Sequence, residues 1–271
     1  RASACAGIDS QDLSGPTLIG NIIQDNRAED TYAGNGIGGG LCLFSNVPAT
    51  LQGNLIRRNV ASSPDARGGG VYVKVAYWAS APVHRFINNA IVDNSASYQG
   101  SGVYMADYAH PTLYFSHNTI ARNTGGDGSG VYVAGDSSWY SVTALFTNTI
   151  FYSQTVGVLE AGGNAVTMTM TLWDSVLTRT QGTVNIAFGD ITGTAALAAD
   201  GYHLTAASDA LDAALDAGVS DDIDGQPRPM GPFADIGADE YPYTADLGLT
   251  KTRQGSGPLD AGRPITCLLY T

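Results

Sequence analysis

The sequence predicts an all-β chain folded as a right-handed parallel β-helix of about six coils, each of about three strands, because two motifs alternate at a period of roughly 30 residues. Composition agrees. Of 271 residues 34 are Gly and only 14% are charged, and Lys74 and Lys251 are the only lysines, so strands and tight turns are favoured over helices. The third observation is the local pattern: short alternating stretches punctuated by Gly, Asn, Pro or Ser, with no helical periodicity.

The first motif has the form N-x-I-x-x-N-x-A and occupies residues 21–28, 54–61 and 89–96, with a shorter copy at 118–123. Weaker copies start at Asn148 and Asp174, where the second Asn is missing; successive starts are 33, 35, 29, 30 and 26 residues apart. Stacked coils place equivalent side chains about 4.8 Å apart, so Ile56, Ile91, Ile120 and Ile150 are expected to form one apolar column. The Asn positions, among them Asn26, Asn59, Asn94 and Asn123, are expected at bends: Asn tolerates left-handed backbone, and its amide can bond to the Asn of the next coil as an internal ladder.

The second motif is glycine followed by an alternating triplet: Leu41-Cys42-Leu43, Val71-Tyr72-Val73, Val103-Tyr104-Met105 and Val131-Tyr132-Val133, with a faded copy at residues 157–160. Its glycines permit positive φ and a sharp corner. In the third unit the strand-like stretches are residues 70–75, 84–88 and 90–93. Units of this size account for residues 15–195, the variable lengths falling in loops between the motifs.

The formal net charge of −12 sets the overall field against phosphate backbones and polyuronates unless a cation bridges them, so nucleic acid is not expected as a partner. Apolar runs stop far short of the ~18–20 residues a spanning helix needs. The chain opens on Arg1, which suits a processed secreted protein and equally an excised piece. The three cysteines, Cys5, Cys42 and Cys267, lack the close spacing of a structural zinc site. In an oxidising compartment Cys5 and Cys42 are the candidate disulfide, with Cys267 free or available to another chain.

Catalytic β-helices would need a cluster of acids, or of Arg and Lys with calcium, on one exposed strand face. Lys74, Asp107, Asp136 and Glu160 follow the triplets, and His84, Arg85, His110 and His117 lie nearby, but no two acids recur at one coil position in adjacent copies. That pattern fits a solvated surface better than the paired carboxylates of a glycosidase, and no catalytic residue is assigned. Tyr72, Tyr104 and Tyr132 should stack on an outward face, a candidate platform for sugar rings or an interface patch; the competing reading is packing beneath long loops. Asp222 and Asp224 offer hard oxygen ligands in a turn and are the candidate calcium ligands, against the reading that they cap backbone N–H groups. No other cofactor is expected. Thr167, Thr169 and Thr171 alternate along one strand, as β propensity alone would give.

After about residue 200 the pattern changes to Tyr202-His203-Leu204, Ser208-Asp209-Ala210-Leu211-Asp212-Ala213, Asp222-Ile223-Asp224-Gly225-Gln226-Pro227-Arg228-Pro229 and Asp235-Ile236-Gly237-Ala238-Asp239-Glu240-Tyr241. This succession resembles the tail of bacterial surface and secreted β-helix proteins of the choice-of-anchor Q type, and the Asn- and Gly-rich coils upstream resemble that family as well. Residues 214–218 depart from it as a slipped duplicate of the preceding segment. The coils are expected over residues 1–199, followed by a C-terminal cap over 200–243, because a last coil exposes unpaired backbone that needs shielding. Residues 244–271 resemble the first two strands of the Ig-like repeats of bacterial surface proteins, incomplete because such a sandwich takes roughly 100 residues. Unpartnered strands can complete a neighbour's sheet. The expectation is therefore a non-enzymatic extracellular structural or adhesive protein at the cell surface, a filament subunit joined by donated C-terminal strands, with copies of itself, other surface proteins or glycans as partners. The alternative is a carbohydrate-active β-helix, a polysaccharide lyase or hydrolase or a glycan binder.

Overall fold

The structure, a computed structural model, describes residues 5–12, 14–29, 37–75, 81–106, 110–135 and 141–242. Contacts divide the chain into two compact units, Arg1–Tyr241 and Pro242–Thr271. The expected Ig-like start at 244–271, Cys267, Asp107 and Asp136 lie outside the described residues.

The first unit is a right-handed parallel β-helix. Its first coil holds β1 (Ile8–Asp12), β2 (Thr17–Ile19), β3 (Ile22–Gln24) and β4 (Arg27–Ala28), and the second β5 (Leu41–Ser45), β6 (Ala49–Gln52), β7 (Leu55–Arg57) and β8 (Val60–Ala61). The third repeats the pattern with β9 (Val71–Lys74), β10 (Val83–Ile87), β11 (Ala90–Val92) and β12 (Ser95–Ala96); the fourth has β13 (Val103–Ala106), β14 (Thr112–Ser116) and β15 (Thr119–Ala121). Later coils fuse strands: β16 (Ser129–Val133) and β17 (Thr143–Tyr152), then β18 (Val156–Glu160) and β19 (Ala165–Asp174). The last is β20 (Thr178–Gln181), β21 (Val184–Phe188) and β22 (Ile191–Thr192). Every strand pairs in parallel with its equivalent one coil away, and the triplet strands form one seven-stranded sheet, β1-β5-β9-β13-β16-β18-β20. The described residues thus form seven coils, against the about six expected. The additional one starts at β1, whose Ile8-Asp9-Ser10 lacks the glycine-rich lead of the other triplets.

Columns of equivalent side chains build the core. Ile23, Ile56, Ile91 and Ile120 stack in register, and the column continues through Phe151 and Trp173. Ile150 is not in it. Ile150 pairs with Thr119 and Leu172 and faces the other way, because Asn148 stands one residue earlier in register than Asn118. The copy expected at Asp174 is displaced too: Asp174 stands opposite Tyr152, and Thr171 opposite Thr149 takes the ladder position. A second column runs Leu18, Leu51, Phe86, Phe115, Phe146, Met168, and its phenylalanine rings stack with centroids 4.5 and 4.6 Å apart. Burying each such side chain contributes about 1.5–3 kcal/mol.

Two asparagine ladders line the corners. In one, the Nδ2 groups of Asn21, Asn54 and Asn89 donate to Oδ1 of Asn54, Asn89 and Asn118, at 3.0, 2.9 and 3.1 Å. In the other, Asn26, Asn59 and Asn94 donate to Asn59, Asn94 and Asn123 at 2.9, 3.0 and 3.0 Å. Each Oδ1 also accepts the preceding Asn's backbone N–H, and the second Nδ2 proton of Asn59, Asn94 and Asn123 goes to the carbonyl of Ile23, Ile56 and Ile91. The left-handed residue is not the ladder Asn but the one before it: Gly20, Gly53, Asn88 and His117 in one corner, Asp25, Arg58, Asp93 and Arg122 in the other. Asn148 itself has φ 51°, so it occupies a corner position, which is why its copy reads one residue out of step.

The glycines ahead of the triplets divide the work. Gly38, Gly68, Gly100 and Gly128 have positive φ. Gly40, Gly70 and Gly102 are needed for close approach, since an added Cβ would come within 2.6, 2.7 and 2.4 Å of the carbonyl oxygen of the next coil's glycine.

The segment of residues 193–242 contains no strand, and it does not cap the last coil. It returns along the outside of the helix, over the first Asn corner. Ala195, Leu204, Ala210 and Ile236 pack on Ile150 and Leu172, while Leu197, Tyr202 and Ile223 pack near Leu55, Ala90, Val92 and Ala121. The corner residues reach it directly: Asn88 donates to the carbonyl of Asp221, His117 to that of Asp235, and Asn148 to that of Leu215 at 2.8 Å. The segment therefore spans coils two to six laterally. On the last coil Leu177 and Phe188 remain 83% and 64% exposed. The expected cap is a flank strap: it covers the outward apolar positions Ala90 and Val92 of β11, Ala121 of β15 and Ile150 of β17, the last of which faces outward because of the one-residue shift at Asn148.

Candidate functional site

The triplet column does not present an exposed aromatic row. Tyr72, Tyr104 and Tyr132 stack as expected, with centroids 5.3 and 5.4 Å apart, but Tyr72 and Tyr104 are buried with Cys42, Phe44 and Ala134, and Tyr132 is half-buried. The candidate glycan face is thus an interior layer. Cys42 holds the same outward position and is bonded to Cys5 as a disulfide. Glu160 stands opposite Val133, at an inward position, rather than after the triplet as Lys74 does. Burial opposes its ionisation, yet N–H donors from Thr183, Asn164 and Gly162 hold its pKa below the usual carboxylate range. His84 also points into the core, in line with Ala49 and Leu113; neither ring nitrogen has a hydrogen-bond partner, and burial lowers its pKa to about 4. Thr171 is buried too, because left-handed Met170 breaks the alternation with Thr167 and Thr169.

The flank segment gathers the acidic groups. Asp222, one of the two candidate calcium ligands, is buried and spent on backbone: Oδ1 accepts from the N–H groups of Asp224 and Gln226 at 2.9 and 2.7 Å, and Oδ2 from that of Glu240 at 3.0 Å. The calcium reading of Asp222 gives way to the cap reading. Glu240 forms a fully buried ion pair with Arg228 at 2.7 Å, and Arg228 also donates to the carbonyls of Asp235 and Gly237. Asp235 accepts from the N–H groups of Asp212 and Tyr241, while its burial pushes its pKa up to about 6. His117 donates from Nδ1 to the Asp235 carbonyl and accepts from Asn148 at Nε2, so it is neutral; burial, and next the Arg228 charge, lower its pKa to about 3. These groups are the structural core of the strap.

Asp224, the other candidate, is different. Its Oδ2 lies 2.7 Å from Nε2 of His203, whose Nδ1 is 2.5 Å from Oδ2 of Asp200. A ligand atom of Asp239 completes a cluster with His203 and Asp224 in which all three lie within 4.8 Å of one another. Asp239 is buried at 2% exposure, and burial raises its pKa to about 7, partly offset by the Leu204 N–H that Oδ2 accepts at 2.6 Å. Burial opposes charging of His203, but the bonds to Asp200 and Asp224 prevail and raise its pKa. The coils position the cluster. Arg122, paired bidentately with Asp93 at 2.7 Å, donates to the carbonyls of Ala199 and Asp200. Gly201 has φ +90°, and a Cβ there would lie 2.3 Å from the Arg122 guanidinium. Sequence reasoning missed this cluster: its members are spread over residues 200–239 with no spacing signal. The alternating signs of Asp25, Arg58, Asp93 and Arg122, one residue before each second-ladder Asn, were readable and mark the charged corner that holds it.

The family model described as a right handed beta helix region matches residues 3–151. Comparison with curated proteins and with solved structures finds no significant match.

Proposed function

Because this chain belongs to the right-handed β-helix family, with a model match over residues 3–151, we propose that it is a non-enzymatic extracellular structural or adhesive protein that associates end to end with copies of itself. The observation that carries this reading is the pair of open ends. β20 and β21 have no outer partner among the described residues, and Leu177, Ile186 and Phe188 beside them are exposed; at the other end β1 to β4 pair only inward, with the second coil, among the described residues, and Ile19 and Ile22 are 61% and 64% exposed. All these strands run in one direction. The last coil of one copy can therefore receive the first coil of the next as a further parallel rung, a head-to-tail contact that does not close and so extends into a filament. The Cys5–Cys42 disulfide supports an oxidising, extracellular compartment, and the tail's resemblance to choice-of-anchor Q proteins supports the cell surface. Residues 244–271, which resemble the start of an Ig-like repeat, offer strand donation as a second route to self-association. Among the described residues no helix is long and apolar enough to cross a membrane.

Light scattering and electron microscopy across a concentration series test this. Linear assemblies should form and should be lost in Leu177→Asp/Phe188→Asp, while deletion of 244–271 separates end stacking from strand donation. A chain monomeric at every concentration, or release of reducing ends from any polysaccharide, contradicts the reading.

A further inference from the structure

We propose that His203, Asp224 and Asp239 bind a divalent transition-metal ion, with Asp200 as the outer carboxylate that orients the imidazole. The site is independent of the assembly reading. One imidazole is surrounded by three carboxylates: Asp200 at 2.5 Å from Nδ1, Asp224 at 2.7 Å from Nε2, and Asp239, whose ligand atom lies within 4.8 Å of those of His203 and Asp224. Even a protonated His203 leaves this group with excess negative charge.

Asp239 carries the argument. It is 2% exposed, it accepts only the Leu204 N–H, at Oδ2, and its second oxygen has no hydrogen-bond donor among the described residues. With one oxygen held by a backbone N–H, the other is left to act as a ligand beside His203 and Asp224. The neighbouring Asp222 shows the contrast, with both oxygens saturated by three backbone N–H groups.

The chemistry of the set selects the ion. One imidazole nitrogen and two carboxylates, with room for solvent on the exposed Asp224 side, suit zinc or manganese; calcium prefers six to eight oxygen ligands. Asp200 on Nδ1 is the carboxylate–histidine arrangement that fixes the tautomer presenting Nε2 to a metal. At ligand distances of about 2.0–2.2 Å, a tetrahedral ion holds its ligand atoms about 3.3 Å apart, within reach of small side-chain rotations here. Binding replaces the proton now bridging Nε2 and Asp224 Oδ2, and that proton leaves to solvent.

The test uses the full chain carrying Cys267→Ser, stripped with a chelator and titrated calorimetrically with Zn(II), Mn(II) and Ca(II), with Co(II) added for its visible spectrum. One equivalent of Zn(II) should bind, at least tenfold tighter than Ca(II), and raise the melting temperature. His203→Gln and Asp239→Asn should each weaken binding a hundredfold or more, and Asp200→Asn about tenfold. Asp224→Asn serves as the variant that keeps the fold, since that side chain is exposed and its one partner is His203. No saturable binding, calcium as tight as zinc, or unchanged affinity in natively folded Asp224→Asn overturns the proposal.

Discussion

The coils and the flank segment reach order by opposite means. From coil two to coil four, nearly every structural feature has an equivalent one rung away: an Ile on an Ile, a Phe on a Phe, an Asn amide on an Asn amide. Stability there is distributed along columns, as expected for a chain whose repeats contact only their neighbours. Residues 193–241 contain no strand, and single side chains serve several backbone groups each: Asp222 takes three N–H groups, Glu240 takes two and the Arg228 guanidinium. The lesson is that irregular backbone can lie against a β-helix once buried carboxylates replace the ladder, at the cost of concentrating stability in a few residues.

Variants can break this contrast where it is sharpest. Arg228→Leu leaves the Glu240 carboxylate buried without its cation and should cost about 3–5 kcal/mol. Hydrogen exchange should show residues 193–241 losing protection while the coils keep theirs. Replacing both partners with apolar residues should recover part of the loss. In the coils, Asn94→Ala orphans the donors of Asn59 and the Ile56 carbonyl, for about 2–4 kcal/mol in urea denaturation. Its effect should spread over coils two to four rather than stay in one segment.

Titration sharpens the comparison further. His84 and His117 have folded pKa values of about 4 and about 3, below the unfolded value of 6.5, so they favour the native state above pH 6.5 and oppose it progressively as pH falls toward those values. Asp235, raised to about 6 from 3.8, acts in the other sense: its burial is tolerated below 3.8 and costs stability as pH rises through 6. His84→Leu isolates one histidine, since its column already holds Ala49 and Leu113. The variant should match or exceed the parent by about 1 kcal/mol at pH 7, an advantage that grows as pH falls from 6.5 to 4. An advantage independent of pH would show that His84 protonates freely in the fold. The smallest effect belongs to Arg58→Ala: its pair with Asp25 is exposed, and the melting temperature should be unchanged within error.

The repeats were legible because each column is a sequence period, and Ile56, Ile91 and Ile120 stack as the motif spacing requires. Ile150 departs from the motif for a physical reason: Asn serves both as a ladder residue and as a left-handed corner residue, and Asn148 is the second kind. The Tyr column was correctly expected to stack, but whether loops cover an outward face depends on tertiary packing that the triplet does not encode. In the tail, Asp222 and Asp224 are two residues apart and look equivalent, yet one is saturated by backbone and the other faces His203. A turn motif does not reveal which way each carboxylate points. His203 and Asp239 come together only because the segment folds back on itself beside Arg122.

The central structural claim is that residues 193–241 lie along the flank instead of closing the end, and a distance measurement between paired spin labels tests it most directly. Labels at Gln52 and Asp221 should be close, because the Ile223 carbonyl lies against the Gly53 corner of coil two. Labels at Gln52 and Phe188 should be separated by five rungs, about 24 Å along the axis. A tail folded over the last coil would bring Asp221 near Phe188 and far from Gln52, and that result would contradict the account.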